Sequence, residues 1–220
     1  MTGYPWAGVF FDLDGKLADT VELILKSYRH TMEVHLGEVL PDERWLETIG
    51  TPLHDQLGHF ARSDEEAQAM LGTYVSFQRA IHDEMVSPFP GAVRVLDTFR
   101  QQGARLAVVT SKRSRIARRT LEVCGLWDRV DLVVCADQVE RGKPHPESVA
   151  RALHELDLDR RAEEVVFVGD SPFDLRAGRL AGTMTAAALW GPFSRPRLEA
   201  EAPNFYLEEL DDALAMRPLD

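Results

Sequence analysis

Two aspartates, Asp12 and Asp14, close the apolar run Val9-Phe10-Phe11, with Leu13 between them and Gly15 directly after. Other apolar runs also lead into residues that can do chemistry. LAVV runs into Thr110-Ser111-Lys112, LVVC precedes the loop GKPHPE with Lys143, and VVFV runs into Gly169-Asp170, with Asp174 close behind. In open α/β sheets ligands sit beyond the carboxyl ends of the strands. If these runs are neighbouring strands, Asp12, Asp14, Asp170, Asp174 and Lys143 converge on one mouth. Two like unit charges 4 Å apart repel by roughly 4 kcal/mol at an effective dielectric near 20. That is a large share of the roughly 5–15 kcal/mol that keeps a domain folded. Such a cluster demands a cation, and oxygen-only ligands point to magnesium, which also accepts a substrate phosphate.

Each motif taken singly has an ordinary reading. A DxD is often a solvated turn, a lysine before proline is often a surface loop, and VVTSK can be a strand end followed by a helix cap. GDSPFD can be a β-turn with a capping aspartate. The conjunction of all of them at strand ends, in this order, carries the functional reading.

The elements that must position these residues follow from the apolar pattern. Val9–Phe11, Leu106–Val109, Leu132–Cys135 and Val165–Val168 read as buried parallel strands, and Thr185–Trp190 as a weaker one. Helices are predicted over Ala92–Gln102, Ser114–Cys124 and Pro146–Leu156, the last with a proline suited to a helix start. Strands alternating with helices define an α/β protein with a doubly wound parallel sheet. Residues 17–87 break the alternation. Asp19 with Glu22 resembles a capping box, and Val21, Leu25, Tyr28, Met32 and Leu36 recur at helical spacing up to Gly37. Further helical stretches are predicted around 41–48, 51–61 and 64–85, and Ser87-Pro88-Phe89-Pro90-Gly91 is a stiff return. The organisation expected is therefore a core of residues 1–16 and 88–220 with a helical insertion over 17–87.

Of 220 residues, 45% are hydrophobic and 28% charged, which suits a globular chain able to bury a core. The formal charge of −11 repels nucleic acid and anionic membranes. The insertion carries 13 acidic against 5 basic residues, and so most of that charge. Cys124 and Cys135 have neither metal-ligand spacing nor disulfide density and read as small core residues. No basic leader and no apolar stretch of membrane length is present, so a soluble cytoplasmic location is expected.

With these motifs in hand, the chain resembles the haloacid dehalogenase-like hydrolases, in the subclass with a helical cap inserted after the first motif. FDLDGKLADT, VVTSK, GKPHPE and GDSPFD match the four family motifs in order, and the likeness covers nearly the whole chain. IGTPLHDQL and LWGPF look most like the phosphoglycolate phosphatase and bacterial pyrophosphatase branch. The resemblance implies a Rossmann-like core and a magnesium-dependent phosphatase acting on a small phosphorylated metabolite. It makes Asp12 the nucleophile and Asp14 the general acid, with a pKa raised by neighbouring carboxylates. Magnesium would lie on Asp12, the backbone carbonyl of Asp14 and Asp170, with Asp174 steadying Lys143 or metal waters. Thr110 and Lys143 would bind the phosphoryl oxygens, aided by Ser111 and Lys112, and Gly50, Thr51 and Pro52 would form the cap loop facing substrate. An aspartate at position 14 marks phosphatases and phosphomutases rather than dehalogenases, while Leu53, near where hexose-phosphate mutases carry an arginine, lowers the mutase reading. A catalytically impaired binding module is a further rival, resting on one departure. Position 16 usually carries Thr or Val in the family, and here carries Lys16, which is expected to face solvent from the hinge after the strand; the alternative is that its ammonium reaches the carboxylates, where it competes with magnesium or adds to the phosphate cradle. His145 and Trp190 are expected to serve loop structure and packing. Neither the substrate nor the oligomeric state follows from the sequence.

Overall fold

The computed structural model describes residues 6–218. The first strand, β1 (Gly8–Phe11), is wholly buried. A short β2 (Ala18–Asp19) follows, then four helices, α1 (Val21–Leu36), α2 (Asp42–Leu46), α3 (Leu53–Gly58) and α4 (Asp64–Met85), and a short β3 (Ser87–Pro88). Strands and helices then alternate: α5 (Ala92–Gln101), β4 (Arg105–Val109), α6 (Ser114–Val123), β5 (Leu132–Val134), α7 (Glu147–Glu155), β6 (Val165–Gly169), α8 (Pro172–Leu180), β7 (Met184–Ala188), α9 (Arg195–Glu199) and β8 (Phe205–Leu207). Six strands form one sheet in the order β5-β4-β1-β6-β7-β8, and every pairing in it is parallel. The chain leaves β1 toward β4 and β5 and then returns past it to β6, so the strand order reverses beside β1. That reversal opens the crevice in which doubly wound sheets hold their ligands.

Side chains alternate across a strand, and both faces of this sheet are covered. Val9, Phe11, Leu106, Val108, Val166 and Val168 pack on one side with Val95, Leu96 and Phe99 of α5 and Leu121 of α6. Phe10, Ala107, Val109 and Phe167 pack on the other with Val149 and Leu153 of α7 and Ala177 of α8. Burial on both faces is why these strands read as unbroken apolar runs.

The antiparallel β2–β3 ribbon pairs Ala18 with Pro88 and Asp19 with Ser87, where the chain leaves the sheet and rejoins it. Helices α1 to α4 build a separate apolar cluster of Leu25, Tyr28, Met32, Trp45, Leu57, Met70 and Tyr74. The Tyr28 and Trp45 rings stack at 4.8 Å in it. Helix α1 ends as its sequence demands, with Gly37 in the left-handed conformation (φ 75°) and its amide donating to the Glu33 carbonyl. The capping box expected at Asp19 does not form. Asp19 lies in β2, and Thr20 takes the cap position without a side-chain cap bond. Two further differences concern the far edge of the sheet, where β7 starts one residue earlier than predicted and stops at Ala188, and β8 was not expected at all. Among the described residues no helix is long and apolar enough to cross a membrane.

Candidate active site

The ends of β1, β4 and β6 meet as their order requires, and their side chains are held by three lysines. Lys143 is buried, and its ammonium donates to Asp12 Oδ1 at 2.9 Å, Asp174 Oδ1 at 2.6 Å and the Val109 carbonyl at 3.3 Å. It thus ties β1, β4 and α8 together. The other oxygen of Asp174 accepts from the Ser171 hydroxyl at 2.6 Å, and the Ser171 hydroxyl in turn accepts from the Asp174 amide at 3.1 Å. This reciprocal cap fixes the start of α8 and, with it, the direction of Asp174.

Lys16 does not face solvent. Its residue is 2% exposed, and its ammonium lies 3.1 Å from Asp12 Oδ2 and 2.7 Å from Asp170 Oδ1. The cause is the turn after β1. The amides of Lys16, Leu17 and Ala18 all donate to the Leu13 carbonyl, at 3.4, 3.1 and 3.0 Å, with Gly15 at φ +72°. This tight turn brings the chain back on itself, and Lys16 folds over Asp12 instead of pointing outward.

Asp14 is half-buried and belongs to a different group of contacts. Lys112 Nζ lies 2.7 Å from its Oδ1, and the Thr20 hydroxyl donates to the same oxygen. The hydroxyl that would have capped α1 is spent there. The neighbours of this carboxylate are therefore an ammonium and a hydroxyl, not the other carboxylates that the sequence suggested. Thr110 is buried, and its hydroxyl oxygen accepts from the Lys112 amide at 3.1 Å, closing the turn after β4. The Ser111 hydroxyl donates to the Gly50 carbonyl at 2.6 Å. Gly50, Thr51 and Pro52 accordingly lie against the core, and Pro52 Cγ would stand 3.1 Å from a Cβ at Gly142. His145 Nδ1 accepts from the Glu147 amide within its own loop.

Above these groups is a cavity of about 690 Å3. Asp12, Asp14, Lys16 and Asp170 line one side of it, while Ile24, Trp45 and Tyr74 of the helical segment line another. Thr110, Lys143 and Asp174 are not among its lining residues. The sequence reading gave Trp190 no part beyond packing and did not consider Gln56 or Gly191. Trp190 stacks on Phe89 and donates from Nε1 to the Gly15 carbonyl at 2.7 Å, which pins the Asp14–Lys16 turn. Gly191 passes so close to Asp170 that a Cβ there would lie 2.3 Å from the Asp170 Cβ. Gln56 donates to the Thr51 carbonyl at 2.6 Å, and its buried Oε1 has no partner in a cavity wall. The sequence signals for these were the stretches LWGPF, which holds Trp190 and Gly191, and IGTPLHDQL, which holds Gln56.

Burial would raise the pKa of Asp12, but the ammoniums of Lys143 and Lys16 outweigh it and hold the carboxyl well below the usual range. Burial dominates at Asp170, which is pushed up to about 6 against the pull of Lys16, with Asp174 and Asp12 adding to the rise. Burial disfavours charge on both lysines, yet Asp170, Asp12 and Asp174 around Lys16, and Asp12 and Asp174 around Lys143, hold them above the ordinary lysine value. Carboxylate oxygens of Asp12, Asp170 and Asp174 all lie within 4.8 Å of one another. As hard oxygen donors they fit a small divalent cation; Lys16 now bridges two of the three.

A buried, ionised aspartate paired with a lysine, with a second carboxylate two residues on and an acidic triad at the switch point, is an arrangement compatible with phosphoryl transfer. The family model of the haloacid dehalogenase-like hydrolases matches residues 9–188, and the chain belongs to that family of hydrolases. It is 38% identical over 207 residues to the pyrophosphatase PpaX of Bacillus cereus (strain B4264), covering 94% of each chain. Among solved structures it is similar to a haloacid dehalogenase-like family hydrolase from Streptococcus pneumoniae, at TM-score 0.83 and 23% identity over 96% of this chain and 97% of that one. A structure described as a predicted phosphoglycolate phosphatase from Haemophilus somnus 129pt superposes at TM-score 0.86 and 19% identity, covering 96% and 97%. The fold agrees with these neighbours.

Proposed function

We propose that the protein is a magnesium-dependent cytoplasmic phosphatase that hydrolyses a small phosphorylated metabolite through an aspartyl-phosphate on Asp12. The observation that carries this reading is Asp12 itself: buried at the cavity floor, ionised by its two ammonium partners, and 2.9 Å from Lys143. An ionised carboxylate attacks phosphorus without a general base. In the first half-reaction an Asp12 oxygen bonds to phosphorus, the bond to the leaving oxygen breaks, and Asp14 gives that oxygen a proton. In the second, Asp14 takes a proton from water, the water oxygen attacks phosphorus, and inorganic phosphate leaves with Asp12 restored. Lys112 and Thr20 hold Asp14 in place for both proton transfers. Lys143 and Thr110, which do not line the cavity in this arrangement, would serve the phosphoryl oxygens once substrate is bound. A magnesium ion on Asp12, Asp170 and the Asp14 backbone carbonyl would supply electrostatic stabilisation of the transferring group when bound.

In this reading residues 17–87 act as a cap on a core of residues 1–16 and 88–220, of which residues 1–5 and 219–220 lie outside the described residues. The Ser111–Gly50 bond supports a closed arrangement that shuts water out during attack. Ile24, Trp45 and Tyr74 along the cavity support an organic leaving group such as that of a phosphoglycolate-like ester. The pyrophosphatase relative supports inorganic pyrophosphate as the second reading. Phosphate release from an aryl phosphate, from phosphoglycolate and from pyrophosphate, each with magnesium and with chelator, tests both. Turnover of none of them refutes the phosphatase reading, and preference for pyrophosphate over the esters selects the second.

A further inference from the structure

We propose that the Lys16 ammonium is a tethered counter-ion of the Asp12–Asp170 pair, which a divalent cation must displace before it can bind there. The inference deepens the metal half of the proposed function and rests on that reading for where the metal would go. Its grounds are the contacts of one side chain. Lys16 is 2% exposed and bridges Asp12 Oδ2 at 3.1 Å to Asp170 Oδ1 at 2.7 Å. Those oxygens belong to two of the three carboxylates whose donor atoms cluster within 4.8 Å. The bridging position between two carboxylates is where a metal ion would gain most, and here it is taken.

Charge gives the same answer. With Lys16 and Lys143 in place, the carboxylates of Asp12, Asp170 and Asp174 face two ammoniums. A divalent ion added without moving Lys16 would set four positive charges against three negative ones, with an ammonium in contact with the ion's own ligands. Removing the ammonium restores near balance. The route for it exists, because Lys16 lines the cavity of about 690 Å3, which has room for a flexible four-carbon stem. The lysine therefore stabilises the metal-free protein and weakens metal binding by the same contacts.

The test is a Mn2+ titration, with free ion read by electron paramagnetic resonance, on wild type and on K16M, K16Q and K16R. The neutral variants should bind at least tenfold more tightly than wild type, about 1.4 kcal/mol, while K16R should stay near wild type. In chelator K16M should melt below wild type, and Mg2+ should raise its Tm far more than it raises the wild-type Tm. A gain below tenfold in both neutral variants overturns the proposal, as does a K16R that gains as much as K16M. A wild-type dissociation constant for Mn2+ below about 10 μM overturns it without any variant. Binding is read without turnover, so tighter metal in K16M alongside no hydrolysis of any phosphate would refute the phosphatase reading and leave this inference standing.

Discussion

Lys143→Met is the perturbation whose cost the structure fixes most closely. The lysine is buried and its ammonium reaches Asp12 at 2.9 Å and Asp174 at 2.6 Å, both of them buried too. Methionine fills much the same volume but leaves Asp174 with the Ser171 donors alone and Asp12 with Lys16 alone. Breaking a buried pair by removing one partner costs about 3–5 kcal/mol, because the remaining charge stays desolvated. Two buried carboxylates each lose their contact with this ammonium, so a loss within that range is expected in urea unfolding at pH 7. The double variant K143M/D174N should recover part of the loss, since one stranded charge goes with it, and the cycle should give a coupling above about 1 kcal/mol. Turnover should fall by a hundredfold or more in both, about 2.7 kcal/mol in the barrier. A stability loss under about 1 kcal/mol would equal that of a solvated surface pair and would refute the claim that this ammonium holds the strand ends together.

Asp12→Asn should abolish phosphate release while leaving the far-ultraviolet circular dichroism spectrum unchanged; a tenth or more of wild-type turnover would exclude the covalent route. Asp170, raised to about 6 by burial, binds its proton more tightly folded than unfolded. In chelator it should therefore cost stability as pH rises from about 4 through 6, on the order of 3 kcal/mol, and D170N should flatten that slope in pH-dependent unfolding. Asp12 titrates well below the usual carboxylate range, so the stability it contributes is present above about pH 4 and lost in stronger acid, and D12N should remove that acid limb. Trp190→Phe keeps the stacking on Phe89 but loses the bond to the Gly15 carbonyl. It should lower Tm by the equivalent of about 1 kcal/mol and reduce kcat more than it raises KM; an unchanged kcat would show that the turn does not need that anchor.

The buried strands were legible because a strand covered on both faces cannot alternate. Val9–Phe11 and Val165–Val168 read as continuous apolar runs for that reason, and glycine or proline marks where the neighbouring helices start and stop. Strand β8 was not legible, since it is three residues at the sheet edge with Tyr206 exposed, too short and too mixed to show a period. The capping box at Asp19 failed because Asp19 is drawn into β2, and the hydroxyl of Thr20, which takes the cap position, goes to Asp14. The motif ends told which residue types meet at the mouth, but not how they pair. Asp14 goes with Lys112, and Trp190 reaches Gly15 across most of the chain, contacts set by the return of β4 and by the loop after β7.

Lys16 is the instructive failure. Its direction depends on the coil of amides around the Leu13 carbonyl, a local geometry that no hydrophobic pattern encodes. Once folded, the consequence reaches well beyond one side chain. Lys16 shares Asp12 with Lys143, so the proposed nucleophile has one oxygen on each ammonium. An incoming phosphoryl group, which is itself anionic, competes for those ammoniums and draws charge away from Asp12. Metal, lysine and substrate are thereby linked through a single carboxylate. In the proposed reading a metal ion that displaces Lys16 takes Asp12 Oδ2 in its place and leaves Oδ1 facing Lys143, so metal entry and the repartnering of Asp12 would be one rearrangement.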